Sequence, residues 1–422
     1  MSGDGSQARS AISARTLVAA WNEFFFLPQS PTPVALFRIV YGLLILADLI
    51  LLAPDWLTWF GPHAMLSMET MHKFAPGTRI NLFTLLPPND LWIWMFFWVS
   101  LTSAVFLAAG LFTRTSSIIV YLCLVSIHER NIFILNSGDT LLRVTGFFLM
   151  FAPAGAALSA DRLIRIWKGK EGPEIQPCSP WAQRMIQLQV ALLYLVTAWW
   201  KSTGTDWING TALHFVYKLD EFQRFPIPSW VQSPGMIKLG SWMTLVPEFS
   251  LGILVWIKEL RYAILLLGLF LHLSLEYTMN VPLFQWIIIS TYITFVDPTD
   301  LERFWNSIRV RAVAYMGEPV TVIYDGGSVR IARAANVLRA VDVFNHLQLV
   351  DLRSRWAANG LSRKQGHNRL LVSTPSGLRE GFGGLSYLAR VVPLLWPLAI
   401  SSFFADRSKE TFSTAKAGRF IE

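Results

Sequence analysis

Long apolar runs recur through about the first 297 residues of this chain, and they constrain its fold more than any other feature. A helix needs about 20 apolar residues to cross roughly 30 Å of hydrocarbon. We therefore predict an all-α polytopic membrane bundle of about eight transmembrane helices. The predicted spans cover residues 33–53, 90–112, 115–133, 140–160, 185–201, 239–257, 260–279 and 281–296.

The composition favours the same class. Charged residues make up 15% of the chain and hydrophobic residues 53%, whereas a soluble domain carries about 25% charged residues. The net charge of +8 is also found in nucleic-acid-binding proteins, but here Lys and Arg flank the apolar runs. We expect the lipid bilayer as a partner and no nucleic acid. Cys123 and Cys178 have no Cys or His at ligand spacing, so we predict neither a disulfide nor a metal site.

The positions of Lys and Arg indicate the orientation. The connection after the fourth predicted span is rich in positive residues, and positive loops resist translocation. We therefore expect a multi-pass protein of the cell (inner) membrane with both termini in the cytoplasm. The positive residues of that connection are Arg162, Arg165, Lys168, Lys170 and Arg184.

The composition of the sequence changes after Val296, where long apolar runs are replaced by mixed charged and apolar residues. A β-branched run at 319–324 predicts a strand, the spacing at 329–344 predicts a helix, and 347–352 predicts a second strand. For 385–404 we favour helices packed on this domain or on the membrane surface over a ninth span. The predicted domains are a cytoplasmic N-terminal segment (1–30), the transmembrane domain (31–297), a linker (298–318), a small α/β domain (319–405) and a tail (406–422).

Ionisable and amide side chains inside the apolar runs are costly, so they are candidates for function. Each also has a structural interpretation. Arg38 can snorkel to the interface, Asp139 can cap the fourth helix, and Arg143 can pair with Glu248. The candidates are Arg38, Asn136, Asp139, Arg143, Glu248 and His272.

Lys201 stands apart because it lies in WWKSTGTDWING, after two tryptophans and before a polar turn. An ammonium group beside indole rings loses solvation, which favours the neutral amine that acts as a base. The alternative is a snorkelling lysine stacked on Trp199 or Trp200. Trp207 belongs to the same motif and is a candidate pocket residue.

Several motifs occur together in a recognisable order: LFRIVYGLLILADLI (36–50), RNIFILNSGDTLLR (130–143), WWKSTGTDWINGTAL (199–213), PE (247–248) and LFLHL (269–273). This order resembles the horizontally transferred transmembrane domain (HTTM) family, which includes vitamin K-dependent gamma-carboxylase. The resemblance implies that Lys201 is a base acting on a reduced naphthoquinone. Among the polar residues of the apolar runs, we take Asp139, Glu248 and His272 as further candidate catalytic residues, and Arg38, Asn136, Arg143 and Trp207 as candidate pocket residues.

A second resemblance begins at VIYDGGSVRI, residues 322–331. This segment is similar to the start of the thioredoxin-like DCC domain, whose members carry Y-D-G-x-C-x-x-C. Ser328 and Ile331 occupy the two cysteine positions. The resemblance therefore implies a small α/β thioredoxin-like cytoplasmic domain without redox chemistry.

Two functions remain open from the sequence. One is a membrane enzyme that uses Lys201 as a base on a quinone-type or lipid-embedded substrate. The other is a non-catalytic membrane factor that binds a lipid, a quinone or an exported peptide, with the polar residues holding helices together. The sequence identifies no cofactor, and a reduced naphthoquinone enters only through the family resemblance.

Overall fold

The structure is a computed structural model that describes residues 14–74, 81–354, 369–374 and 377–396. These residues form two compact units. The first unit contains the described residues up to 159 together with 177–296, and the second contains 160–176 together with the described residues from 297 onward. The predicted tail, 406–422, and residues 397–405 of the predicted α/β domain lie outside the described residues.

The first unit is a bundle of helices, and all eight predicted spans contain helix. Its helices are α1 (Ala14–Phe26), α2 (Thr32–Leu52), α3 (Trp56–Phe60), α4 (Met68–Phe74), α5 (Asp90–Ala109), α6 (Thr113–Arg130), α7 (Ser137–Leu149), α9 (Trp181–Thr203), α10 (Thr205–Asn209), α11 (Ala212–Val216), α12 (Pro234–Ile253), α13 (Arg261–Thr278) and α14 (Phe284–Thr291). The second unit contributes α8 (Ala160–Trp167), α15 (Pro298–Met316), α16 (Val329–Val341) and α17 (Gly381–Val391).

Three helical segments of the described chain are both long and apolar enough to cross a membrane. They are Thr32–Phe60, Asp90–Ala109 and Pro234–Trp256, and Phe284–Phe295 is a shorter apolar helix. The other predicted spans fall short for different reasons. For example, α7 has 13 residues, about 20 Å of helix, and α6 contains serines, threonines and charged residues.

Close packing of α2 against α5 forms part of the core of the first unit. A Cβ atom on Gly42 would lie 2.8 Å from the backbone N of Ala108, so only glycine allows this approach. Phe37 and Tyr41 on α2 are fully buried, and the Tyr41 hydroxyl donates a hydrogen bond to the Leu142 carbonyl at 3.0 Å. Helix α2 therefore packs closely on α5 and is hydrogen-bonded to α7.

Arg38 is completely buried, so the prediction that it snorkels to the interface is wrong. Its guanidinium donates hydrogen bonds to the carbonyls of Ala154 at 2.9 Å and Leu158 at 2.6 Å, with a weaker one to Ala108 at 3.4 Å. Five donors arranged in a fork suit several carbonyls at once. Arg38 thereby joins the start of α2 to the end of α5 and to the segment after α7.

The second unit contains a four-stranded sheet with the order β2-β1-β3-β4. Its strands are β1 (Val320–Tyr324), β2 (Leu347–Asp351), β3 (Leu370–Thr374) and β4 (Gly377–Glu380). β1 pairs with β2 in parallel and with β3 antiparallel, and β3 pairs with β4 antiparallel. The predicted strand, helix and strand at 319–324, 329–344 and 347–352 are confirmed as β1, α16 and β2.

Strands β3 and β4 of the second unit were not predicted, and neither were two of its helices. Helix α8 lies in a segment that we interpreted as a cytoplasmic connection, and the predicted linker 298–318 is mostly helix α15. The core packs Val322 and Val372 of the sheet against Leu338 of α16 and Leu388 of α17. In the predicted 385–404 region, α17 is followed by a short 3-10 helix at Pro393–Leu395, and residues 397–404 are outside the described chain.

The turn after β1 is held by the carboxylate of Asp351 on β2. Its Oδ1 accepts hydrogen bonds from the backbone N–H of Gly326 at 3.2 Å and of Arg353 at 3.0 Å. Burial alone would raise the pKa of Asp351, but these hydrogen bonds and the Arg353 charge outweigh burial, so this pKa lies below its usual range. Ser328 is the N-cap residue of α16, and Ile331 lines a groove of about 570 Å³ beside that helix.

Candidate functional site

Lys201 forms an ion pair with Glu248, which joins the last turn of α9 to α12. The Glu248 side chain is 8% exposed and the Lys201 side chain 29% exposed, so the pair is shielded mainly on its carboxylate side. The Lys201 ammonium also lies 4.9 Å from the ring centroid of Trp207. The proposed stacking on Trp199 or Trp200 is wrong, because the ammonium contacts Trp207 while those two rings are 62% and 72% exposed.

The turn after α9 explains why Trp207 reaches Lys201. The backbone N–H of Gly204 bonds to the Lys201 carbonyl at 2.9 Å and ends the helix, and α10 then begins at Thr205. Helix α10 ends at Gly210, which has a positive φ of 71° that suits glycine. The GTDWING sequence therefore forms a turn and one short helix, and this helix places the Trp207 indole beside the Lys201 ammonium.

Close packing of α9 on α12 places Glu248 opposite Lys201. A Cβ on Gly252 would lie 3.0 Å from the Cβ of Leu195, so the two helices approach closely at this point. Pro247 lies inside α12 and has no backbone N–H to continue the helical ladder. The Glu248 carboxylate therefore lies one residue after a proline and about one helical turn from the close contact at Gly252.

A buried hydrogen-bonded chain runs from α9 to α13, to α14 and to the 3-10 helix that follows α14, and it was not predicted in full. The Tyr194 hydroxyl is 2.6 Å from His272 Nε2 and 2.6 Å from the Tyr292 hydroxyl. His272 Nδ1 is 2.6 Å from Gln285 Oε1. An amide oxygen only accepts, so Nδ1 carries the proton and Nε2 accepts from Tyr194. Both His272 nitrogens are thus occupied.

We call Tyr194, Lys201, Glu248, His272, Gln285 and Tyr292 the lysine cluster. Tyr194 and Lys201 both lie on α9, about two helical turns apart, so the hydrogen-bonded chain and the ion pair share this helix. Sequence reasoning found Lys201, Glu248 and His272. It missed Tyr194, Gln285 and Tyr292 because hydroxyl and amide groups inside apolar runs are less conspicuous than charges.

A second group of polar residues lies where α6 meets α7, and we call it the junction cluster: His128, Glu129, Asn136, Asp139 and Arg143. Asn136 is the N-cap of α7, and its side chain accepts from the backbone N–H of Gly138 at 2.7 Å. Asp139 accepts from the backbone N–H of Asn136 at 2.6 Å and completes a capping box. His128 Nε2 is 3.9 Å from an Asp139 oxygen.

Arg143 pairs with Glu129 at 2.9 Å, so the predicted pairing of Arg143 with Glu248 is wrong. Helix α14 connects the two clusters. The Asn136 side-chain amide lies 3.5 Å from the Pro282 carbonyl just before that helix, and Gln285 in its first turn contacts His272. The Arg38 guanidinium binds the carbonyls at the end of α5 and after α7.

The lysine cluster offers the elements of acid–base chemistry. Glu248 Oε1 holds the lysine, whereas its buried Oε2 has no hydrogen-bond partner within the described residues. A buried carboxylate oxygen without a donor is costly, and it is a natural acceptor for a ligand hydroxyl. Among the described residues, no group of three or more His, Cys, Asp or Glu side chains is arranged to hold a metal ion.

A family model for the HTTM domain matches residues 26–299, which is more than half of the chain. No solved structure matches the chain. The matched range begins at the end of α1 and ends at the start of α15, so it includes both clusters. The chain belongs to the HTTM domain family and is a membrane protein of the gamma-carboxylase-like class.

Proposed function

We propose that this protein is a membrane enzyme that uses Lys201 as a base on a quinone-type or lipid-embedded substrate. The observation that carries the proposal is the Lys201–Glu248 pair, in which one carboxylate oxygen holds the ammonium and the other is buried without a hydrogen-bond partner in the described part of the chain. This geometry gives a proton-transferring pair beside an acceptor for a substrate hydroxyl. Trp207 covers the lysine and limits its access to water.

The base must first lose a proton, and Glu248 is the group in contact that can take it. Transfer from Lys201 Nζ to the Glu248 carboxylate leaves a neutral amine beside a neutral acid, which low-dielectric surroundings favour over two separated charges. The amine then accepts a proton from a substrate O–H and returns to an ammonium. The pair has gained one proton and the substrate has lost one.

A reduced naphthoquinone is the cofactor that the family resemblance implies. The residues present fit it, because Glu248 Oε2 can accept a hydrogen bond from one hydroxyl while Lys201 acts on it. When bound, the reduced quinone supplies an acidic aromatic hydroxyl. The chain's own contribution is to orient that hydroxyl, to exclude water and to hold the proton on Lys201 or Glu248.

His272 has a positioning role in this proposal. Its two nitrogens are occupied by Tyr194 and Gln285, so it has no free nitrogen with which to reach a substrate. The chain of hydrogen bonds fixes the Tyr194 hydroxyl, which lies on the same helix as Lys201, and the Tyr292 hydroxyl bonded to it. We infer that Asn136, Asp139 and Arg143 stabilise the α6–α7 junction.

The second candidate is a non-catalytic membrane factor that binds a lipid, a quinone or an exported peptide. The observation that favours it is the saturation of Lys201 by a carboxylate and an indole, which is also how an interhelical ion pair stabilises two helices. In that case the same cluster binds a ligand but moves no proton.

We also propose that all eight predicted spans are membrane segments and that the second unit is a degenerate DCC-like domain in the cytoplasm of a bacterial cell with both termini on that side. Helices at each predicted span support the count. A β2-β1-β3-β4 sheet with a parallel β1–β2 pair connected by α16 supports a thioredoxin-like fold. Ser328 and Ile331 replace the cysteines, so we assign this domain to docking or regulation.

The test uses the full chain in lipid vesicles with reduced phylloquinone as the probe and follows its oxygen-dependent consumption by chromatography. Lys201→Ala should slow consumption by about 10²–10⁴-fold, the usual contribution of a general base. The matched control is Lys218→Ala, which removes the same charge from an exposed position.

An unchanged rate in Lys201→Ala contradicts the enzyme proposal. Binding of the probe by wild type without any consumption above protein-free vesicles favours the non-catalytic factor instead. Equal loss in Lys201→Ala and Lys218→Ala indicates a charge effect and contradicts the specific role of Lys201.

A further inference from the structure

Helix α1 has one apolar face and one polar face. At 100° per residue, Leu17, Trp21, Phe24 and Phe25 fall on one side, and Val18 borders them. Arg15, Ala19 and Glu23 lie on the other side. Such a helix needs another apolar surface in contact with its apolar face.

The C-terminal end of that face packs on the first unit. Phe25 is 7% exposed. The centroid of the Phe24 ring lies 5.7 Å from that of the Trp256 ring and 4.8 Å from the Arg184 guanidinium. Arg184 Nε also donates to the Phe24 carbonyl at 3.2 Å. The end of α1 is therefore fixed to the bundle by aromatic, cation–π and hydrogen-bonding contacts.

The N-terminal part of the same face is bare. Leu17, Val18 and Trp21 are 60%, 59% and 61% exposed in the structure. Trp21 packs against Phe25 with ring centroids 4.4 Å apart, so the exposed residues continue directly from the packed ones. An apolar surface of this kind on a fixed helix marks a contact with lipid or protein.

The attachment point lies at one end of the bundle. Helix α9 begins there at Trp181, close to Arg184, and α12 finishes there, followed by a short 3-10 helix up to Trp256. Lys258 and Arg261 follow in sequence. Tryptophans with neighbouring Lys and Arg are typical of the boundary between hydrocarbon and headgroups.

The length of α1 decides between crossing the bilayer and lying on it. Its 13 residues span about 20 Å, too short for roughly 30 Å of hydrocarbon. From these observations we propose that α1 lies in the membrane interface, with Leu17, Val18 and Trp21 inserted between lipids and Arg15 among the headgroups. The occupant of the bare face is therefore the bilayer itself.

The proposal is tested in the full chain with single nitroxide labels. Leu17→Cys and Ala19→Cys are matched positions two residues apart, on opposite faces of the helix. Cys178→Ser removes the more accessible native thiol, while Cys123 is 5% exposed and stays in place. The Cys178→Ser protein without a new cysteine should take up no label.

The labelled proteins are placed in vesicles of phosphatidylcholine and phosphatidylglycerol. Relaxation of the nitroxide by oxygen reports contact with lipid, and relaxation by a water-soluble nickel chelate reports contact with water. We expect a several-fold higher ratio of oxygen to nickel accessibility at position 17 than at position 19.

Equal accessibility of the nickel chelate at both positions would overturn the proposal, because the face would then be in water. Exclusion of both reagents at position 17 would also overturn it, since the face would then be covered by protein, either a second copy or another chain. Neither outcome depends on the activity of Lys201.

Discussion

The two polar clusters of the membrane unit differ in how far along the chain their partners lie. In the junction cluster, Glu129 and Arg143 are 14 positions apart, and the Asn136–Asp139 contact spans 3. In the lysine cluster, Lys201 and Glu248 are 47 positions apart, while Tyr194 lies 78 positions from His272. The junction cluster closes one helix–helix connection, whereas the lysine cluster joins four separate segments of the bundle.

This difference suggests different roles. Local partners satisfy the polar groups that a break between two helices creates, as the capping box of α7 does. Partners from distant helices do not arise from a chain reversal, and each buried polar group in them carries its own cost of burial. We therefore expect substitutions in the lysine cluster to affect activity and those in the junction cluster to affect stability.

Among substitutions of the groups that surround Lys201, the largest effect is expected from removing its proton acceptor. Glu248→Gln keeps the shape of the side chain but cannot take the proton from Lys201, and we expect reduced phylloquinone to be consumed about 10²-fold more slowly. Glu129→Gln is the matched control, because Glu129 is also a carboxylate paired with a cation. Similar losses in both variants would erase the functional distinction between the clusters.

The next effect concerns stability. In Lys201→Met, the Glu248 carboxylate stays buried without the lysine, and we expect the free energy of unfolding to fall by about 2 kcal/mol. Breaking a fully buried ion pair costs roughly 3–5 kcal/mol, and the smaller value applies here because Lys201 is partly exposed. The double variant Lys201→Met/Glu248→Leu should recover much of the loss. Thermal unfolding followed by circular dichroism measures both, and a double variant less stable than Lys201→Met contradicts this reasoning.

Local patterns in the sequence were sufficient for the helices and for part of the site. Apolar runs predicted spans that each contain helix, and Asp139 was interpreted as a cap of the fourth helix, although Asn136 supplies the cap and Asp139 completes the capping box. The pairing of Glu248 with Lys201 instead of Arg143 depends on which helices pack together. That choice is made by close contacts such as Gly252 on Leu195, which no local pattern encodes.

The hydrogen-bonded chain in the lysine cluster gives a smaller expected effect. Tyr194→Phe removes one hydroxyl that contacts both His272 and Tyr292, and these two buried groups then lack that hydrogen-bond partner. We expect the free energy of unfolding to fall by about 1–3 kcal/mol. Tyr292→Phe removes the same group from the end of the chain and should cost less. Unfolding in denaturant compares the two, and equal losses would show that Tyr194 does not connect the network.

The smallest effect is expected in the junction cluster. Asn136→Ala removes the side chain that accepts from Gly138 at the start of α7, and the usual cost of losing such a cap is about 1 kcal/mol. Asn136→Ser is the matched control, because serine caps helices about as well as asparagine. Thermal unfolding should therefore place Asn136→Ser close to wild type and Asn136→Ala below it. A variant that unfolds like wild type but consumes no reduced phylloquinone would place Asn136 in the site, through its contact beside α14.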